Sequence, residues 1–121
     1  MEFKLLKKRV HNISGGNIGD FDAAPKRLEE VFGIPDYSED DLKLSRMYYF
    51  EGEDGCIVRL YDWKSTNRFY SGFPSPKQFW ALEYPQEFSV GSDDPKNAKP
   101  FFEWLQRQLE IFNVTLRYPE L

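Results

Sequence analysis

From Arg46 to Lys64 the chain reads RMYYFEGEDGCIVRLYDWK: two aromatic-rich runs flank an acidic turn ending in Asp54-Gly55, the pattern of a β-hairpin. If Asp54 and Gly55 are the two loop residues, the tight turn that positive φ angles permit pairs Phe50 with Arg59, Tyr48 with Tyr61 and Arg46 with Trp63. Alternation then places Arg46 and Arg59 among aromatics on one face. Met47, Tyr49, Val58 and Leu60 fill the other.

Weaker patterns frame this hairpin. Phe3 to Val10 alternates loosely between apolar and basic residues and reads as an edge strand, whose Lys4, Lys7, Lys8 and Arg9 either deter edge pairing or form an anion patch. The glycines and turn formers of HNISGGNIGD predict a loop. Asp22 is the expected cap of a short helix with Pro25 in its first turn, Leu28, Val31 and Phe32 inward, and Gly33 at its left-handed end. Ser38 to Asp41 reads as a solvated acidic loop, and Lys64 to Pro76 as a surface connection able to close over a ligand. Phe79 to Val90 fits a helical turn followed by a strand that Pro85 interrupts or places at an edge. Ala98 to Phe112 predicts the longest helix, capped by Asn97, with Phe102, Leu105, Leu109 and Phe112 buried. Phe101 and Trp104 widen that stripe enough to suggest packing on a second subunit. Val114 to Tyr118 alternates like a final strand. The expected fold is one α+β domain over residues 1–121: a small antiparallel sheet with a central β-hairpin, a short N-terminal helix and a longer C-terminal amphipathic helix.

Composition sharpens this picture in three respects. With 11 Phe, 7 Tyr and 3 Trp in 121 residues, ring packing must supply much of the core, and some rings must remain at the surface. A net charge of -4 argues against a protein held to nucleic acid by bulk attraction. The single cysteine, Cys56, excludes an internal disulfide framework and reads as a packed thiol. No apolar run reaches the roughly 20 residues of a bilayer span and the N-terminus lacks a secretory segment, so no membrane partner and an intracellular location are expected.

Catalytic patterns are absent from the sequence. His11, the one histidine, precedes a Gly-rich loop without a Ser or Cys constellation, and Ser14-Gly15-Gly16 lacks both a GxGxxG pattern and a Walker lysine. Glu83, Glu87, Asp62 and Asp93 are carboxylates of the kind a hydrolytic cleft employs, yet their spacing gives no geometric evidence that any two meet. The acidic run Ser38-Glu39-Asp40-Asp41 lacks the regular ligand spacing of a cation loop. No catalytic residue, metal or cofactor is therefore expected. Binding is easier to support: Arg46 and Arg59 can donate paired hydrogen bonds to phosphate, and Tyr48, Tyr61, Trp63 or Trp80 can stack on a base. With Lys64 beside Trp63, these are the candidate ligand-binding residues. The same side chains also fit a structural reading, in which rings complete the core and arginine stems pack beside them.

The order Leu28-Glu29-Glu30-Val31-Phe32-Gly33-Ile34-Pro35, then Glu53-Asp54-Gly55, Leu60-Tyr61-Asp62-Trp63-Lys64, Pro74-Ser75-Pro76 and Phe79-Trp80 resembles a group of small proteins encoded by tailed bacteriophages. The resemblance spans roughly residues 28–105. Where that group often shows His-Ile-Gly-Gly after an aromatic strand, this chain has Phe88-Ser89-Val90-Gly91-Ser92. A further resemblance is to the Thoeris anti-defence sponges. It implies a homo-oligomeric, non-enzymatic protein of the infected bacterial cytoplasm that sequesters a cyclic ADP-ribose-type immune messenger. The alternative is a protein-directed inhibitor of a host defence complex, such as an anti-CRISPR.

Overall fold

A computed structural model describes residues 1–11, 15–37 and 43–121. In chain order its elements are β1 (Phe3–Leu5), β2 (Gly16–Ala23), α1 (Pro25–Phe32), β3 (Met47–Gly52), β4 (Ile57–Tyr61), α2 (Pro76–Trp80), β5 (Gln86–Ser92), α3 (Ala98–Gln108) and β6 (Phe112–Leu116). All strand pairs are antiparallel, in the order β1-β3-β4-β5-β2-β6, which makes the fold α+β. The acidic run from Ser38 to Asp41 lies outside the described residues, as does Ser14. Among the described residues no helix is long and apolar enough to cross a membrane.

The β3–β4 turn contains three loop residues, not two. Gly52 donates its N–H to the Cys56 carbonyl and Gly55 donates to the Gly52 carbonyl, both at 2.9 Å, which leaves Glu53, Asp54 and Gly55 as the loop. The Asp54 carboxylate accepts from the Cys56 N–H at 3.1 Å, and Gly55 takes φ 86°, the left-handed residue that three-residue hairpin loops require. That extra residue moves the pairing by one, so Tyr48 faces Leu60, Tyr49 faces Arg59 and Phe50 faces Val58. A one-residue shift turns a strand over. Val58 and Leu60 consequently join Tyr48 and Phe50 in the core, while Arg59 and Tyr61 take the opposite face with Met47 and Tyr49. The expected pairs Phe50–Arg59, Tyr48–Tyr61 and Arg46–Trp63 do not form.

All three helices cover the Tyr48–Phe50 face of the sheet. Phe50 is its centre, with ring centroids of Phe32, Phe101 and Trp104 at 5.0, 5.3 and 5.4 Å, while Phe79 and Trp80 close over Phe88 at 5.8 and 5.6 Å. Tilted and edge-on contacts of this kind add to the burial of the rings themselves. The broad apolar stripe of α3 is satisfied inside the chain, since Phe101, Phe102, Trp104 and Leu105 are all buried. The stripe therefore gives no reason to invoke a second subunit.

Several expected boundaries are corrected by this packing. Gly16 to Asp20 forms five of the eight residues of β2, because β2 lies between β5 and β6 and Gly19 lets the Phe102 ring approach: a Cβ there would be 2.7 Å from it. Asp22 sits in β2, where Asn113 donates to it at 2.7 Å; α1 begins after Ala24 without a side-chain cap. Pro85 precedes β5, an interior strand and not an edge. Asn97 holds the N-cap position of α3 as expected, but its side chain makes no capping hydrogen bond and donates instead to the Ser92 hydroxyl at 2.8 Å. Helix α3 stops at Gln108, and Phe112 opens β6 with 43% exposure, because an edge strand leaves one of its sides uncovered.

Two substitutions test these assignments in urea unfolding. Phe50→Ala is expected to cost about 3–5 kcal/mol, the range for deleting a buried ring. Gly55→Ala meets no atom within 4 Å, so its cost is the left-handed conformation alone, about 1–2 kcal/mol, with an unchanged slope against urea.

Candidate functional site

Asp62 follows the end of β4 and points inward, fully buried. Its carboxylate accepts from the Ser45 N–H at 3.0 Å, the Ser45 hydroxyl at 2.7 Å and the Arg46 N–H at 2.9 Å, which pins residues 45–46 to the end of β4. Burial holds the Asp62 carboxyl above its usual value of 3.8, against the pull of those three donors. Ser45 in turn accepts from the Trp80 indole N–H at 3.0 Å.

This framework fixes Arg46. Its guanidinium lies 4.0 Å from the Trp80 ring centroid, donates to the Tyr48 hydroxyl at 3.0 Å and meets the Glu29 carboxylate at 3.2 Å. The Tyr48 hydroxyl donates to the Gly33 carbonyl at 2.7 Å, and burial pushes its pKa up to about 12, so it stays a neutral donor. A hollow of about 500 Å³ opens here, lined by Lys26, Glu29, Ser45, Arg46, Lys77 and Trp80 with apolar Ile34, Pro76 and Ala81. That volume suits a small molecule. Lys26 is held by Glu83 at 2.8 Å on the surface. Of the central ion pair, the Arg46 side chain is 14% exposed and Glu29 33%, so the carboxylate is the more accessible partner.

The seven expected ligand-binding residues are thus divided among three places. Arg46 and Trp80 line the hollow and Tyr48 stands behind them, but Tyr48 and Trp80 are covered and present no free face for a base. Arg59 and Tyr61 lie on the opposite side of the sheet. There the Arg59 guanidinium lies flat on Gly91, where a Cβ would be 2.9 Å from Nη2, and donates to the Gly15 carbonyl at 3.2 Å. Its buried Nε has no hydrogen-bond partner, and burial raises the Tyr61 phenol. Trp63 and Lys64 lie beyond β4, where the Lys64 ammonium sits 5.5 Å from the Trp63 centroid and the Trp63 ring meets Tyr61 edge-on at 5.9 Å. The single face of two arginines among rings does not exist, because the hairpin register separates them.

The carboxylates considered for hydrolysis do not gather either: Asp62 is enclosed beneath Ser45, Glu83 pairs with Lys26, and Asp93 lies 3.3 Å from the Ser92 hydroxyl. Among the described residues no cluster of three His, Cys, Asp or Glu side chains is arranged to hold a metal ion. The Cys56 thiol is pushed up to about 11 by burial and by Asp54, which keeps it protonated. Sequence reasoning missed Lys26, Glu29, Ser45 and Lys77. One usable signal existed: Ser75 and Gln78 form a capping box that starts α2 at Pro76 and brings Lys77 and Trp80 onto one short helix. No protein-family model and no curated protein matches the chain.

The buried carboxylate gives a pH test. Because its folded pKa stands above the unfolded value near 3.8, the folded state holds the Asp62 proton more tightly. The Asp62 contribution to stability is therefore greatest at low pH, declines as pH rises from 3.8 to the raised folded value, and is level above it. Asp62→Asn is expected to lower stability by about 1–3 kcal/mol, since its amide N–H groups face the Ser45 and Arg46 donors. Urea titrations at stepped pH should show the wild-type-minus-variant difference shrinking and then flattening as pH rises.

Proposed function

We propose that this protein is a phage-encoded counter-defence protein that captures a cyclic nucleotide messenger of the cyclic ADP-ribose type and retains it uncleaved, as a homo-oligomer in the infected bacterial cytoplasm. The supporting observation is Arg46, held 4.0 Å from Trp80 and anchored by Tyr48 at the wall of the hollow. A guanidinium fixed in this way offers phosphate a fork of donors whose direction is already set, which reduces the ordering cost of binding. Lys77 supplies further positive charge on the same hollow, Lys26 being paired with Glu83, and a pyrophosphate outcompetes the single carboxylate of Glu29. The base then rests on Ile34 and Pro76 at the rim and not on Trp80, whose face Arg46 occupies. Retention needs only ground-state affinity, whereas turnover needs groups that bind a transition state more strongly.

Native mass spectrometry after incubation with cyclic ADP-ribose isomers tests the reading. The expected result is a retained mass that heating releases unchanged. Arg46→Ala should weaken retention by about 10–100-fold, the equivalent of one lost hydrogen-bonded charge. Release of a cleaved product refutes capture without turnover, and absence of any retained isomer refutes the proposed ligand. Co-purification with a host nuclease and no nucleotide would favour the protein-directed inhibitor.

A further inference from the structure

The two edges of the sheet are built differently. β1 has three residues, and its central Lys4 reaches the Glu51 carboxylate at 3.4 Å; a short strand with charge on its rim resists pairing with another chain. β6, at the opposite edge, runs Phe112-Asn113-Val114-Thr115-Leu116 without a charged residue or a proline. Phe112 and Val114 are both exposed, Val114 by 36%. The register against β2 slips between Asp20 and Asp22, where Asn113 takes φ 51°, so the regular part of β6 begins at Val114.

The phase of the hydrogen bonds decides which backbone groups are left at this edge. Arg117 donates its N–H to the Ile18 carbonyl at 3.1 Å, and next along the ladder Leu116 stands opposite Gly19 and Thr115 opposite Asp20. Bonded and non-bonded pairs alternate in an antiparallel ladder, so Thr115 turns its N–H and C=O toward β2 while Val114 and Leu116 turn theirs outward. Side chains alternate as well. Leu116 packs on the core, Val114 shares its helix-bearing side, and Thr115 lies on the open side.

We infer that β6 pairs antiparallel with β6 of a second copy about a two-fold axis through Thr115. This gives the homo-oligomer of the proposed function its interface, and it rests on that oligomer and not on the ligand. Antiparallel pairing of one segment with itself is self-complementary, so every outward group finds its counterpart. Val114 and the second copy's Leu116 become a bonded pair that exchanges N–H···O bonds, and the axis repeats the exchange. Their side chains meet on the helix-bearing side and continue the core across the axis. An axis through Val114 or Leu116 would instead pair the other of the two with Phe112 or Tyr118, outside the regular stretch. Thr115 faces its own copy as a non-bonded pair, with Cα atoms about 4.5 Å apart.

Sedimentation equilibrium provides the test. The wild type is expected to approach twice 14.3 kDa at about 100 μM and to return to 14.3 kDa on dilution, since a short-strand interface belongs to the small, micromolar class. Thr115→Lys sets like charges against each other on the axis and should weaken association about tenfold or more. Its circular dichroism should match the wild type, because the Thr115 side chain is exposed in the single chain. Thr115→Cys, oxidised with copper phenanthroline, should cross-link into a dimer on a non-reducing gel, the Cα spacing suiting a disulfide, whereas the wild type with Cys56 alone should not. A wild type that stays monomeric at the higher concentration overturns both this edge and the homo-oligomer. An oligomer that Thr115→Lys leaves intact, or that Thr115→Cys fails to cross-link, overturns the edge alone, so the two readings fail on different results.

Discussion

Everything in this fold depends on the number of residues in one hairpin loop. With Glu53, Asp54 and Gly55 between β3 and β4, Val58 and Leu60 enter the core beside Tyr48 and Phe50. A two-residue loop would bring Arg59 and Tyr61 to that side, beneath the helices. Burying a guanidinium there without an anion costs several kcal/mol, more than a hairpin turn can offset. The register is therefore enforced twice, by the left-handed Gly55 and by the penalty for the alternative.

The same register gives two arginines different work. Arg46 is carried to the helical side, where Trp80, Tyr48 and Glu29 surround its guanidinium, and the buried Asp62 holds its backbone. Arg59 is carried to the open side and lies along Gly91, one nitrogen without a partner. A glycine at position 91 is what lets the guanidinium lie so close to the strand. Neither residue can assist the other across a sheet. A capture site using Arg46 would thus draw its remaining charge from Lys77 on α2, not from the hairpin that suggested it.

Charge is also distributed by the fold in a way that the net value of -4 conceals. The acids that flank the aromatic β4–α2 loop in sequence are withdrawn, one into the interior and one onto Lys26, and Lys64 is bent over two rings. A concave surface with a fixed guanidinium and a loop of exposed rings both result.

Local patterns read from the chain were reliable where the physics is local. The hairpin, a short helix that holds Leu28 to Phe32 and ends at Gly33, the surface loop after Lys64 and the helical turn around Phe79 follow from turn chemistry, proline geometry and apolar spacing, and they are present in the fold. What lay beyond that reading depended on neighbours distant in sequence. Gly16 to Asp20 became a strand because β5 and β6 flank it, Phe112 left its helix for an edge strand, and Lys26, Glu29, Ser45, Arg46 and Lys77 met only when α1 and α2 packed over the sheet. Residue types along the chain decided which elements form and that rings would fill the interior. One loop residue and the packing of helices decided which side chains meet, because strand faces alternate with every residue and a single step exchanges them.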